Sequence, residues 1–179
     1  MKSILKTLAL GTSMSVALAT SAFAMGSCDE VTFSDVGWTD ITATTAAATN
    51  VLQALGYETD IKVLSVPVTY KSLQSKDVDV FLGNWMPPME ADIRPYLDDK
   101  TVETIGANLT GAKYTLAVPK TLFDKGLKSF ADIAKFKDEL DGKIYGIEPG
   151  NDGNRIILDM IEKDAFGLKG FEVAESSEA

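Results

Sequence analysis

Three aromatic residues occupy positions where predicted strands end or where two parts of the chain meet. Trp38 follows the first predicted strand, Trp85 follows the third, and Tyr114 begins the second part of the chain. Ligands of α/β proteins bind beyond the carboxyl ends of sheet strands, so the three rings could line one cleft. Ring faces attract a quaternary ammonium ion, which has no N–H to donate, at about 0.5–2 kcal/mol per ring. The alternative is that all three are ordinary core and surface aromatics.

Two polar residues could complete such a site. Asp40 directly precedes the first predicted helix, and its carboxylate could balance a cation and accept a hydroxyl hydrogen bond. Its alternative role is a helix N-cap, which Thr39 could supply equally well. Asn151 lies in the glycine-rich loop Pro149–Asn154, where its amide could donate and accept or could simply form a turn. An anion site is a further possibility before a helix, but Asp152 and the lack of a Lys-Ser or Lys-Thr pair argue against a phosphate loop.

The elements that must position these residues alternate between strand and helix, which predicts an α/β fold with a parallel sheet. The predicted strands of the first part are Glu30–Val36, Tyr57–Val66, Val78–Leu82 and Val102–Ile105, and its helices are Ile41–Leu55, Pro67–Leu73 and Pro88–Leu97. A second pattern follows, with strands Tyr114–Val118, Ile144–Ile147 and Phe171–Val173 and helices Ser129–Phe136 and Arg155–Ala165. Ser129 is the expected N-cap of its helix, with Asp132 at the third position.

The apolar pattern lapses at Gly106–Gly111, so we divide the chain into residues 25–111 and residues 112–179. The second part has roughly half the usual length of a domain. The sequence is therefore expected to be a fragment.

The first 24 residues predict a signal peptide. Lys2 and Lys6 precede the apolar run Leu8–Ala19, and Ala22–Ala24 has the pattern of a cleavage site. We expect a soluble protein exported to the periplasm, since no second apolar run is long enough for a membrane span. Lipoprotein processing at Cys28 is the alternative, and this single cysteine otherwise implies an unpaired thiol or a partner elsewhere.

Composition narrows the possible functions. The formal net charge is −9 and histidine is absent, which argues against nucleic acid or an anionic membrane as partner and removes catalytic arrangements that use histidine. No cofactor is predicted. An enzyme would have to use carboxylates such as Asp40 and Glu90, although a first-turn acid that favours the helix dipole is the simpler role for Glu90. A periplasmic interaction protein without a small ligand is a third possibility.

Four motifs indicate a resemblance to a known family: Gly37–Ile41, Gly83–Ile93, Gly111–Val118 and Pro149–Asn154. Together they closely resemble the glycine betaine/choline family of periplasmic substrate-binding proteins of ABC importers, from about Val31 to Ala179. The resemblance implies a periplasmic-binding-protein type II fold, whose two lobes each have a central sheet flanked by helices and close on the ligand by hinge bending. It also implies a monomer that binds choline without catalysis and delivers it to ABC permease subunits.

The same resemblance assigns the site residues. Trp38, Trp85 and Tyr114 would be three walls of an aromatic box, with Asp40 and Asn151 as the polar groups near the choline hydroxyl and ammonium. The family's fourth wall is a Trp from the second lobe, but no Trp follows Trp85 here. We therefore expect weak or no binding by this chain, because cation–π attraction weakens in a wet site. A cysteine outside this sequence could pair with Cys28.

Choline is expected over glycine betaine, the alternative ligand. Asp40 attracts a cation, whereas the carboxylate of a zwitterion would be repelled unless an arginine or backbone donors offset it. Nothing in the sequence places Arg94 or Arg155 in the box.

Overall fold

The computed structural model describes residues 29–177, so the predicted signal peptide and Cys28 lie outside the described residues. The strands are β1 (Glu30–Asp35), β2 (Glu58–Val63), β3 (Val80–Phe81), β4 (Lys143–Tyr145) and β5 (Glu172–Ala174). The α-helices are α1 (Thr39–Ala54), α2 (Val66–Ser75), α3 (Glu90–Asp98), α4 (Lys120–Lys125) and α5 (Asp152–Glu162), with 3-10 helices at Phe130–Phe136 and Ala165–Gly167. Within residues 29–177, no helix is long and apolar enough to cross a bilayer.

The first sheet is parallel, with β1 between β2 and β3. As expected for a central strand, β1 has a buried carboxyl half, which includes Phe33. The apolar cluster of this part of the chain has the buried members Val36, Ile41, Val66, Tyr70, Met89 and Ile93. Trp38 and Trp85 pack against this cluster while staying partly exposed.

The second sheet pairs β4 with β5, again in parallel. Its apolar cluster is separate from the first and contains Leu127, Ile133, Ile144, Ile157, Leu168 and Phe171. The division of the chain at residues 111 and 112 stays a prediction, although each sheet has its own core.

Most predicted elements are present, with boundaries that differ by a few residues. Two predicted strands are wrong: Val102–Ile105 and Tyr114–Val118 have no strand structure. A strand requires a neighbouring strand for its backbone hydrogen bonds, and neither segment has one in the part of the chain that the structure describes. Ile105, for example, is 98% exposed.

Two predicted helices differ in detail. Phe130–Phe136 is a 3-10 helix rather than an α-helix. Ser129 is its N-cap residue as predicted, and the Ser129 N–H donates a hydrogen bond to the Asp132 carboxylate at 3.1 Å. The last predicted helix begins at Asp152, three residues before the predicted start at Arg155. The polar side chain that precedes it permits the earlier start, as described below.

Candidate functional site

Trp38 is held at the end of β1 by a buried carboxylate. Asp35 is 5% exposed, and its two oxygens accept hydrogen bonds from the Gly37 N–H at 2.8 Å and from the Thr42 hydroxyl at 2.7 Å. Gly37 has a φ of +83°, a left-handed conformation that glycine adopts without strain. This tight turn leads the chain from β1 into α1 and makes Trp38 the N-cap residue of that helix.

Trp85 is fixed by a methionine four residues later. Its carbonyl accepts the Met89 N–H at 2.9 Å, and its own N–H donates to the Met89 sulfur at 3.3 Å. Met89 is fully buried in the first core. Next to Trp85, the Asn84 side chain accepts a hydrogen bond from the buried Tyr70 hydroxyl at 2.8 Å. Trp85 therefore packs on the core and also presents part of its ring outside it.

The exposed part of Trp85 meets the second half of the chain at Tyr114. The two ring centroids are 6.1 Å apart with an interplanar angle of 37°, a distance typical of interacting aromatic pairs. The Tyr114 hydroxyl donates to the Asn151 side-chain oxygen at 3.4 Å. Burial, together with the negative charge of Asp152, raises the pKa of Tyr114 to about 12, so its hydroxyl keeps its proton at neutral pH.

Asn151 is buried and begins α5. Its side-chain oxygen accepts the Gly153 N–H at 2.7 Å, the N-cap hydrogen bond that permits the helix to start at Asp152. Its side-chain N–H donates to a Glu148 oxygen at 2.9 Å. Asn151 therefore acts as a helix cap instead of only forming a turn. Its side chain also makes hydrogen bonds with Tyr114 and Glu148.

Glu148 connects the two parts of the chain. Its oxygens accept the Trp38 indole N–H at 3.2 and 3.3 Å, in addition to the Asn151 amide. A continuous set of contacts therefore runs from Trp38 through Glu148 and Asn151 to Tyr114 and Trp85. Sequence reasoning missed Glu148; the available signal was an acidic residue between a predicted strand and the glycine-rich loop.

Asp40 is not part of that set of contacts. It lies exposed in the first turn of α1, and no hydrogen bond or ring contact joins it to the other four predicted site residues within residues 29–177. Its alternative role as an N-cap is wrong, because the N-cap residue of α1 is Trp38 and the helix starts at Thr39, whereas its role in the ligand site stays a prediction. A first-turn carboxylate still favours the helix dipole.

Asp152 adds a buried carboxyl group beside the site. It is 1% exposed, and its Oδ2 atom has no hydrogen-bond partner in the described part of the chain. Burial raises the pKa of this carboxyl, and the neighbouring Asp92 carboxylate raises it further, while Arg155 and the Tyr114 hydroxyl act in the opposite direction. The effect of burial therefore outweighs that of the nearby Arg155 charge.

Both arginines of the chain are engaged by carboxylates. Arg155 forms a two-pronged ion pair with Asp92 at 2.8 and 3.0 Å, which joins α5 to α3. Arg94 pairs with Glu90, and Glu90 lies in the first turn of α3. This arrangement agrees with the structural role of Glu90 rather than with an acid–base pair.

Comparison with known proteins decides the family. Residues 29–179 match the family model described as the substrate binding domain of ABC-type glycine betaine transport system. The chain belongs to this family. The predicted resemblance and the type II periplasmic-binding-protein fold are thereby confirmed, and the family's role is substrate binding in transport.

Three relatives show the extent of the similarity. A solved ABC-transporter choline binding protein in complex with choline is 73% identical, with a TM-score of 0.81, and the match covers 85% of this chain and 53% of that one. The uncharacterized protein ORF1 of Chromohalobacter salexigens is 51% identical over 139 residues, 78% of this chain and 89% of that protein. The glycine betaine/carnitine transport binding protein GbuC of Listeria monocytogenes is 31% identical over 110 residues, 61% of this chain and 35% of that protein. The chain thus spans about half the length of the solved structure that it matches.

Proposed function

We propose that this protein is the substrate-binding protein of an ABC importer, which captures choline outside the cytoplasmic membrane and delivers it to the membrane permease. The observation that carries the proposal is the set of contacts that joins Trp38 to Tyr114 and Trp85 through Glu148 and Asn151. Further support comes from the 73% identical protein that was solved with choline.

The chemistry of this region suits a cation without N–H groups. Three rings would contribute about 1.5–6 kcal/mol in total. Because the cost of immobilising the ligand is subtracted from this sum, the expected Kd is about 1 mM or higher. The Glu148 and Asp152 carboxyl groups lie beside the rings, and Asp40 offers an acceptor for the choline hydroxyl. Neutral hydrogen-bond donors would gain little here, because the oxygens of Asn151 and Glu148 already accept from protein groups.

Glycine betaine is the second candidate, favoured by the description of the family model. Its carboxylate would need a positive partner near the rings. Arg155 is the nearest candidate among the described residues that surround Tyr114, but Asp92 already binds both of its terminal nitrogens. Choline, which has a hydroxyl instead of a carboxylate, avoids this requirement. The protein is expected to release its ligand unchanged and to act as a monomer.

A tryptophan-fluorescence titration tests the proposal, because Trp38 and Trp85 are the only tryptophans in the sequence. We expect a weak saturable change with choline, with a Kd of about 1 mM or higher, and a weaker response to glycine betaine. Asp40→Asn should weaken choline binding, whereas Asp60→Asn, the same change at an exposed position on β2, should not. A folded protein whose fluorescence does not respond to either ligand would count against Trp38 and Trp85 as walls of the proposed site.

A further inference from the structure

Glu148 makes the only side-chain hydrogen bonds that join Trp38 to the second half of the chain within residues 29–177. One of its oxygens, Oε1, lies 3.2 Å from the Trp38 indole nitrogen and 2.9 Å from the Asn151 amide nitrogen, and Oε2 lies 3.3 Å from the indole nitrogen. Trp38 packs against the first apolar cluster, whereas Asn151 caps α5, whose Ile157 belongs to the second. A single carboxylate therefore fixes an aromatic ring of the first part relative to a polar group of the second.

The hydrogen bonds of Glu148 are partly shielded from water. The side chain is half-buried and Asn151 is 2% exposed, so water competes weakly for these hydrogen bonds. A charged acceptor strengthens each of them relative to a neutral one. Glu148 also acts electrostatically on one of the three aromatic residues, because its negative charge is among the causes that raise the pKa of Tyr114.

We infer that Glu148 is a positioning and specificity-determining residue of the ligand site. Its carboxylate links the Trp38 indole N–H to the Asn151 amide across the two parts of the chain, and its negative charge disfavours ligands that carry a carboxylate. The inference rests on the proposed function for the ligand, but the hydrogen bond to Trp38 can be tested without one.

Two substitutions separate geometry from charge. Glu148→Ala removes the acceptor and the charge together. Glu148→Gln keeps an oxygen that can accept both N–H groups but removes the negative charge. Glu162→Gln is the matched control, because it makes the same change at an exposed position near the end of α5.

The first measurement is the pair of indole N–H resonances in a ¹H–¹⁵N NMR spectrum of the full chain without ligand. Trp38→Phe assigns the Trp38 signal by its loss, since only two tryptophans are present. We expect this signal to shift upfield in Glu148→Ala, to move less in Glu148→Gln, and to stay in place in Glu162→Gln. An unchanged Trp38 signal in a folded Glu148→Ala protein would overturn the positioning role.

The second measurement is binding of choline and of glycine betaine to the same proteins. Glu148→Ala should weaken choline binding about fivefold to tenfold, because the negative charge beside the cation is lost and the Trp38 ring is no longer held in place. Glu148→Gln should shift the ratio of the two affinities toward glycine betaine by about fivefold, which a purely structural residue would not do. An unchanged ratio would overturn the specificity role. Wild-type protein that binds neither ligand would instead remove the ligand site on which the specificity role rests, while the NMR result still decides the positioning role.

Discussion

Gly153 offers a test that separates stability from ligand binding. An added Cβ would lie 2.3 Å from the Tyr114 hydroxyl oxygen and 3.2 Å from the Asn151 side-chain oxygen. The first distance is more than 1 Å shorter than ordinary contact, so the tyrosine must move. Tyr114 is 47% exposed, and its ring can swing outward without opening a core. Gly153→Ala should therefore displace one wall of the proposed site at little structural cost.

The two expected effects have opposite signs. Gly153 has helical geometry in the first turn of α5, where alanine favours the helix over glycine by up to about 1 kcal/mol. The free energy of unfolding should therefore stay unchanged or rise by up to about that amount. Losing the contribution of one ring, about 0.5–2 kcal/mol, should weaken choline binding by about twofold to thirtyfold.

Urea unfolding followed by far-UV circular dichroism and a choline titration measure these effects on one preparation. Gly106→Ala is the control, because an added Cβ there meets nothing within 4 Å. Choline affinity equal to that of the wild type would refute the assignment of Tyr114 to the site. Destabilisation by more than about 1 kcal/mol would contradict the argument that the tyrosine yields easily.

Three further predictions concern neighbouring positions. Gly146→Ala would place a Cβ 2.1 Å from the buried Asn154 side-chain oxygen, and the loss of that amide's hydrogen bonds should lower the free energy of unfolding in urea by about 1–3 kcal/mol. Burial raises the folded-state pKa of Asp152, so its contribution to stability is greatest below the unfolded carboxyl pKa and is lost as pH rises through the folded value. Asp152→Asn should therefore increase the urea midpoint at about pH 7 and leave it nearly unchanged at about pH 3; an equal increase at both would contradict this. The ion pair of Asp92 and Arg155 is partly exposed. A double-mutant cycle of Asp92→Asn and Arg155→Gln, measured as free energies of unfolding in urea, should therefore give a coupling energy of about 0.2–1 kcal/mol at low salt. This coupling energy should shrink near 1 M salt.

The order of strands and helices in the first part of the chain could be predicted because its signals are local. Gly56 separates α1 from β2, and Pro67 lies at the start of α2, so each boundary is marked by a residue within a few positions. Tyr114–Val118 shows the limit of such signals. Its apolar and β-branched residues favour a strand, but a strand exists only where a second strand lies beside it.

The site residues, like the strands and helices, include some that could be predicted from the sequence and some that could not. The rings of Trp38, Trp85 and Tyr114 could be proposed from their chemistry alone, since aromatic faces suit few ligands. The role of Glu148 could not be predicted, because its partner Trp38 is 110 residues away in sequence. Asp35 was missed for another reason: its partners are only two and seven residues away, but an aspartate at a strand end has many possible roles.

The cap at the start of α5 limits how the site can change during evolution. Asn151 begins the helix with its oxygen and contacts Glu148 with its nitrogen, so both tasks depend on one amide. Aspartate could still cap the helix, but it would bring a second carboxylate to within about 3 Å of Glu148 without a donor between them. Serine and threonine carry a single polar atom on a shorter side chain. Among residues that can start this helix, only asparagine meets both demands, so a new ligand preference must arise at other positions.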